Sequence, residues 1–480
     1  MNEPARDAQS HHAVTHTAWR WLAVLGIAAL ILAAPRPEGI TLKSWELLAI
    51  FAATIVGSVA RPVASGAIVF LGVCAVALFN VLPPREALGG YSDPIVWLVL
   101  SAFFMSRGVL KSGLGRRIAF LFIRGIGQSS LGLAYALIST DTLLAAFVPS
   151  NGARAGGVVY PVARSLAEAY ESRPGESAKR LGAFLLFAIY QGDVIASSAW
   201  FTGQISNSLM AKFAMDAAKI DFTYGKWILG ACVPALVLFL LVPYVLYRLY
   251  PPGVKRTPEA ARIAHDELQR LGALKRDERI MLGVFLLVAG LWMTTAWHHI
   301  NYAMVAMLGI SILFLTNVLT WDDVTSERAG WDVFIWYGGL VRMAEALGET
   351  GLTRKFAEYA ASMTVGWHWG AALAVLVLIY FYAHYGFASI TAHATAMFTP
   401  FLVVVMAAGA PAMLAVLLLA YLANLSACLT HYGTTPGPIY FGSRYITQRD
   451  WWLYGLIISF ISLGVYGTVG LAWWRFLGWW

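Results

Sequence analysis

Two stretches of this chain set turn-forming and hydroxyl-bearing residues inside apolar surroundings. The first reads Phe147-Val148-Pro149-Ser150-Asn151-Gly152-Ala153-Arg154, and the second reads Tyr385-Gly386-Phe387-Ala388-Ser389-Ile390-Thr391-Ala392-His393. Pro, Ser, Asn and Gly mark turns and helix starts. A helix that begins within an apolar region turns free backbone N–H groups, and the positive end of its dipole, toward whatever faces it. That is a ready anion site. Ser150, Asn151, Ser389 and Thr391 add short neutral donors suited to carboxylate oxygens, and Gly152 permits close backbone approach. Two such tips could grip the two ends of a dicarboxylate. The plainer alternative is that Ser and Asn only cap two helices.

Each stretch is followed by a second polar interruption. Ser197-Ser198-Ala199-Trp200-Phe201-Thr202-Gly203-Gln204 follows the first, and Leu429-Thr430-His431-Tyr432-Gly433-Thr434-Thr435-Pro436-Gly437-Pro438 the second. They read as unwound helix segments that complete two half-sites, through Thr202 and Gly203 and through Gly433 and Thr434. Ionisable residues at membrane depth are functional candidates by default. Arg154 and His393 follow the two tips, where they could offset a bound anion or stand in for a cation. The alternatives are a snorkelling arginine and a neutral core histidine. His431 and His384 share that ambiguity, and Asp141 and Asp193 could bind a cation or pair with Arg154. No spacing of ligands points to a metal site.

The elements that carry these tips follow from composition. The chain has 480 residues, 59% hydrophobic and only 12% charged. A soluble domain carries about 25% charged residues, so this is a polytopic all-α membrane protein. The net charge of +8 does not indicate nucleic acid, because the basic residues sit in short loops between apolar runs. Cys74, Cys232 and Cys428 match no metal or redox spacing and read as buried thiols. Spans are expected at 19–34, 45–60, 64–82, 95–110, 181–213, 227–250, 280–297, 302–319, 332–347, 412–441 and 451–476. The two broken regions, 131–169 and 371–410, have room for paired helices of roughly 15 residues, short of the roughly 20 needed to cross. They read as re-entrant hairpins, with two kinked crossing helices as the alternative.

Charge placement agrees. Arg107, Lys111, Arg116, Arg117 and Arg124 precede the first hairpin, and Arg164, Arg173, Lys179 and Arg180 follow its tip. Both clusters belong on the cytoplasmic side, with the basic loop 251–279 and a surface helix starting at Thr257-Pro258. The N-terminus then falls in the cytoplasm and the C-terminus outside. The halves also resemble each other. Lys111-Ser112-Gly113-Leu114-Gly115-Arg116-Arg117-Ile118-Ala119 aligns with Glu349-Thr350-Gly351-Leu352-Thr353-Arg354-Lys355-Phe356-Ala357 at an offset of 238. At 239, Ser150 falls on Ser389 and Arg154 on His393. Five crossings separate the repeated segments, which inverts the second copy. The expected fold has eleven transmembrane helices plus two re-entrant hairpins in two inverted repeats.

Phe147 to Asn151 with Ala153-Arg154 and Tyr160-Pro161 resembles the first signature of the divalent anion:sodium symporter family, and His384-Tyr385 with Ser389 to His393 resembles the second. Leu429 to Thr434 with Pro436 to Phe441 is similar to the branch holding plastid 2-oxoglutarate/malate translocators and bacterial citrate/succinate exchangers. The resemblance implies a homodimer in a lipid bilayer, in a bacterium the inner membrane, working by an elevator motion. A tail (1–18) would precede scaffold parts 19–130 and 280–370. Transport parts 131–250 and 371–480 would be joined to them by the linker 251–279. It further implies a binding site for di- or tricarboxylates at Ser150, Asn151, Gly152, Ser389, Ile390 and Thr391, flanked by Thr202, Gly203, Gly433 and Thr434. Gly152 stands where the family usually has Thr, and Ile390 where it often has Asn. The basic residues Arg154, His393 and His431 suggest that fixed charge replaces sodium, which gives an exchanger with no cofactor. The rivals are a sodium-coupled symporter, an anion channel, and an intramembrane enzyme using His393 or His431 with Asp141 or Asp193.

Overall fold

The structure is a computed structural model that describes residues 4–363 and 366–480. The first three residues of the expected tail, and residues 364 and 365 of the second scaffold part, lie outside the described residues. The described residues are helical, with one isolated bridge, Ser129 to Arg256, and no strand. Eight helices among them are long and apolar enough to cross a membrane, and four shorter ones are apolar. The first helix runs from Pro4 to Ala33, with its apolar part at Ala18–Ala33. The chain divides into two compact units. One holds the described residues of Met1–Leu100 and Arg328–Val365, and the other holds Ser101–Glu327 and Gly366–Trp480. Every candidate site residue belongs to the second unit.

Both broken regions are helix, interruption, helix. The first has Ser130–Ala145, an irregular stretch at 146–150, a wide π-helical segment at Gly152–Val159 and then Tyr160–Ala169. The second has Trp369–Tyr382, a short turn at Ala383–Gly386, three non-helical residues at 387–389 and then Ile390–Ala407. The second arm of this region, Ile390–Ala407, is longer than expected at 18 residues. Trp369–Gly386 and Ile390–Ala407 are each 18 residues and satisfy the length and hydropathy of a crossing helix. The first of these reaches 18 residues only by including the turn at Ala383–Gly386, since the α-helix Trp369–Tyr382 has 14 residues.

The expected helix breaks are also present. Gly182–Ala199 stops at Trp200, a single turn covers Phe201–Gly203, and a new helix starts at Ile205. Ala412–Leu425 leads into a turn at Ser426–Leu429, and Thr430–Pro436 is non-helical before Gly437–Gly442. Each break follows a helix sunk in the core: Gly182 through Ser198 and Leu414 through Leu425 are buried without exception. Burial on all sides is what an apolar helix without an amphipathic stripe produces.

The internal similarity has a local structural counterpart. Gly113 and Gly351 both take left-handed backbone, with φ of 80° and 77°. The hydroxyls of Ser112 and Thr350 each donate to a carbonyl three residues back, Val109 at 3.1 Å and Leu347 at 2.6 Å. Each also accepts from the amide two residues on, Leu114 at 3.4 Å and Leu352 at 3.3 Å. The side chains of Thr353, Arg354 and Ala357 in that alignment lie outside the described residues.

The linker holds the expected surface helix, Pro258–Leu271. Thr257 fastens its start by donating from N to Gln128 O (2.8 Å) and from Oγ1 to Gly127 O (2.8 Å). At its other end Arg117 pairs with Glu278 (2.7 Å) and donates to the carbonyls of Leu271, Gly272 and Ala273. The cysteines correct one expectation. Cys428 is buried, but Cys74 is half-buried and Cys232 exposed, because each lies on the outer side of its helix.

Candidate substrate site at two broken helices

The first tip begins where Pro149 ends the preceding helix. Proline has no N–H to continue the ladder and pushes Val148 out of helical geometry. Ser150 Oγ then accepts from the Ala153 amide at 3.2 Å, which caps the next helix. One turn on, Arg154 is fully buried. A guanidinium has five N–H donors, and this one has five acceptors. Nε donates to Asp141 Oδ1 (3.3 Å), and Nη1 to the carbonyls of Val148 (2.6 Å) and Gly203 (2.7 Å). Nη2 donates to Asp193 Oδ1 (3.0 Å) and Ser197 Oγ (3.1 Å).

Arg154 thus ties the tip, the break at Gly203 and two helices together. It pairs with Asp141 and Asp193 rather than snorkelling, and all three side chains are at 0% exposure. Its charge is taken up inside the protein. One guanidinium faces two carboxylates, and Asp141 Oδ2 has no hydrogen-bond partner among the described residues. Thr202 supports the same corner: its Oγ1 lies 3.1 and 2.8 Å from the carbonyls of Ala145 and Ala146 at the open end of the first arm. Gly203 fits because a Cβ there would lie 2.8 Å from the carbonyls of Ala196 and Ser197.

Asn151 reaches across to the other half. Its Nδ2 donates to Thr434 Oγ1 at 2.7 Å and more weakly to Asp193 Oδ2 at 3.4 Å. Asn151 and Thr434 are each 2% exposed. Next to them Gly152 faces Thr435, whose Cγ2 would lie 2.7 Å from a Cβ at position 152.

The second tip is headed by Ser389, which is extended (φ −163°) and makes no capping hydrogen bond with its side chain. Its hydroxyl is therefore not committed to the helix start. Ile390 is buried, so what it can offer at the tip is its backbone N–H. Thr391 is half-buried one residue on. His393 lies in the interior, its ring 4.4 Å from that of Tyr380 and its Nδ1 3.2 Å from His384 Nδ1. His384 Nε2 is 3.0 Å from the Gly433 carbonyl. A ring nitrogen facing a carbonyl must carry the hydrogen, so neutral His384 accepts at Nδ1 and His393 donates there. This assignment leaves His393 Nε2 as a lone-pair site, buried and unpartnered among the described residues. Gly433 is needed for the contact, since a Cβ would stand 2.7 Å from His384 Nε2 and 2.9 Å from Thr430 Oγ1.

The structure therefore brings both tips to adjacent residues of the second break, His384 to Gly433 and Asn151 to Thr434. His431 is not in that group. It stacks on Phe441 (4.1 Å) and accepts from Trp452 Nε1 at its Nδ1 (3.3 Å), in an aromatic nest with Trp451. Cross-links between the halves continue beneath the breaks. Asn424 Nδ2 donates to Asn207 Oδ1 (2.8 Å), Tyr190 OH to Ala427 O (2.8 Å), and Tyr440 OH to Ala155 O (2.9 Å). Tyr190, Asn207 and Asn424 did not stand out in the sequence, since an isolated polar residue in an apolar helix carries no sign of its partner. Among the described residues no group of three His, Cys, Asp or Glu side chains is placed to hold a metal.

Apolar helices broken twice in each half, with polar groups gathered at the breaks, define a polytopic membrane transporter. The family described as sodium:sulfate symporter transmembrane region matches residues 15–480. The chain belongs to that family, the divalent anion:sodium symporters, and is a transporter rather than an enzyme. It is 42% identical over 460 residues to YflS of Bacillus subtilis, described as a candidate malate transporter, covering 96% of both chains. It is 40% identical to dicarboxylate transporter 1 of Arabidopsis thaliana chloroplasts, covering 96% of this chain and 83% of that one. It is 32% identical to the L-tartrate/succinate antiporter of Shigella sonnei, covering 95% and 97%. The fold is similar to the YdaH transporter of Alcanivorax borkumensis, with a TM-score of 0.52 at 16% identity over 98% and 99% of the two chains.

Proposed function

We propose that this transporter exchanges di- and tricarboxylates of the 2-oxoglutarate, malate, succinate and citrate class across a membrane. The observation that carries the reading is the meeting of both tips at Gly433 and Thr434. Two helix starts, headed by Ser150 and Ser389, can then each receive one carboxylate. Neutral hydroxyl and amide donors bind such groups without holding them too long for release. The relatives named for malate, dicarboxylate and tartrate/succinate transport support the same class.

Exchange without sodium is supported by Arg154. Its Nη1 donates to the carbonyls of Val148 and Gly203, so the protein's own cation, not a bound one, faces these oxygens. The second tip is braced by the His384–His393 pair in the same way. With the breaks filled by the protein's own side chains, the empty site has no cation to gain, and recrossing without an anion would bare polar groups at the cost of several kcal/mol. Sodium-coupled symport of the same anions is the second reading, favoured by the family's description.

In this reading the broken regions 131–169 and 371–410 are re-entrant hairpins of two inverted repeats. Eleven helices cross, the N-terminus is cytoplasmic and the C-terminus outside. The repeated turn at Gly113 and Gly351 supports the repeat. Regions 131–250 and 371–480 move as an elevator against scaffold parts 19–130 and 280–370 in a homodimer, in a bacterial inner membrane. The test of site and coupling together is ligand-induced thermal stabilisation of the detergent-purified protein. Succinate, malate, 2-oxoglutarate or citrate should raise the melting temperature in sodium-free choline buffer, and sulfate should not. Stabilisation that appears only with sodium would overturn the exchanger.

A further inference from the structure

We propose that Thr435 supplies the hydroxyl that residue 152 lacks, so that the carboxylate at the first tip is read by a side chain lent from the second half. The inference rests on the dicarboxylate reading above and adds a residue that determines specificity within it. A Cβ built on Gly152 would lie 2.7 Å from Thr435 Cγ2 and 3.3 Å from Thr435 Cβ. Thr435 therefore already fills the volume that a side chain at 152 would enter. The same Cβ position is 3.9 Å from Ser150 Oγ, so the volume adjoins the hydroxyl that heads the first tip.

Thr435 is also held in place. The neighbouring Thr434 is fixed by Asn151 at 2.7 Å. The following Pro436 restricts the backbone of Thr435, and branching at Cβ restricts its side chain. Thr434 and Thr435 nevertheless differ in kind. Thr434 is 2% exposed and spent on Asn151. Thr435 is exposed, and its hydroxyl joins no hydrogen bond among the described residues. With its methyl against Gly152, Thr435 has a hydroxyl that no described protein group holds, and the proposal assigns it to the arriving anion. Gly152 and Thr435 then share one place: the glycine leaves the volume open, and the threonine of the second half fills it.

Three variants test this in proteoliposomes, with labelled succinate as the probe. Thr435→Val keeps the packing against Gly152 and removes the hydroxyl. It should raise the KM for succinate about tenfold, the effect of one hydrogen bond to a charged group, and leave the melting temperature unchanged. Gly152→Thr should lower both transport and melting temperature, because the new side chain meets Thr435. Gly152→Thr with Thr435→Gly should recover KM to within about threefold of the original protein, since the hydroxyl returns from position 152. An unchanged KM in Thr435→Val, or a double variant no better than its two parts, would overturn the proposal while the dicarboxylate reading stands. An original protein that neither moves nor binds any dicarboxylate overturns both.

Discussion

Replacing Arg154 by Gln is the sharpest test of how the first tip is held. The guanidinium fills five acceptors, and the glutamine amide has two donors. Three acceptors at least lose their partner, each at roughly 1–3 kcal/mol when buried. Asp141 and Asp193, both at 0% exposure, also lose their counter-charge. Removing one side of a buried ion pair costs roughly 3–5 kcal/mol. Either estimate is a large part of the roughly 5–15 kcal/mol that keeps a protein folded. Arg154→Gln should therefore purify poorly and melt far below the original protein in fluorescence-detected size exclusion. Adding Asp193→Asn removes one of the stranded carboxylates, so the pair should recover part of that loss, a non-additive result in a double-mutant cycle. An Arg154→Gln protein that melts within about 2 °C of the original would refute the reasoning, since a loss of that size must shift the transition.

Other perturbations read other parts of the account. Gly433→Ala places a Cβ 2.7 Å from His384 Nε2, so transport of labelled succinate should fall at least tenfold, while Gly442→Ala, with open space around it, should leave uptake unchanged. Burial pushes the Glu278 carboxyl up, but the hydrogen bonds from Arg117 and the Lys275 amide outweigh it and hold the group below its usual range. Its stabilising effect is then present above pH 4.5 and lost as pH falls below that value. Glu278→Gln should lower the melting temperature at pH 7 and flatten its decline toward pH 4. Finally, in a protein with its three cysteines replaced, Gly386→Cys should react slowly with an impermeant maleimide and be protected by succinate, whereas Trp367→Cys should not be protected. Fast labelling at Gly386→Cys that ignores succinate would mean that both arms of the second region cross the membrane.

Much of the architecture was readable because breaks in membrane helices are written in local chemistry. Pro149-Ser150 and Pro436-Gly437-Pro438 interrupt apolar runs that have no other reason to stop, and the structure breaks at both. Gly113 and Gly351 were aligned by sequence and share a left-handed turn for the same reason, the need for a residue without a Cβ. The length of the second region's later arm, Ile390–Ala407, was misjudged, because an apolar run does not reveal where its helix ends. The exposure of Cys232 was missed because both sides of an apolar helix look alike when one faces lipid. What Arg154 does was left open between a free charge and an ion pair. Its five partners lie on four separate segments between residues 141 and 203, and only the fold collects them. Thr435 was passed over for the same reason, since its meaning lies in contact with a glycine in the other half of the chain.

The central claim is that two carboxylate-binding tips, braced by the protein's own Arg154 and His384–His393 pair, carry anions by exchange. The most direct measurement is uptake of labelled succinate or 2-oxoglutarate into proteoliposomes, loaded with unlabelled dicarboxylate or with buffer alone, in sodium and in choline. The account predicts uptake only into dicarboxylate-loaded vesicles, at the same rate in choline as in sodium. Uptake into empty vesicles driven by an inward sodium gradient would contradict it.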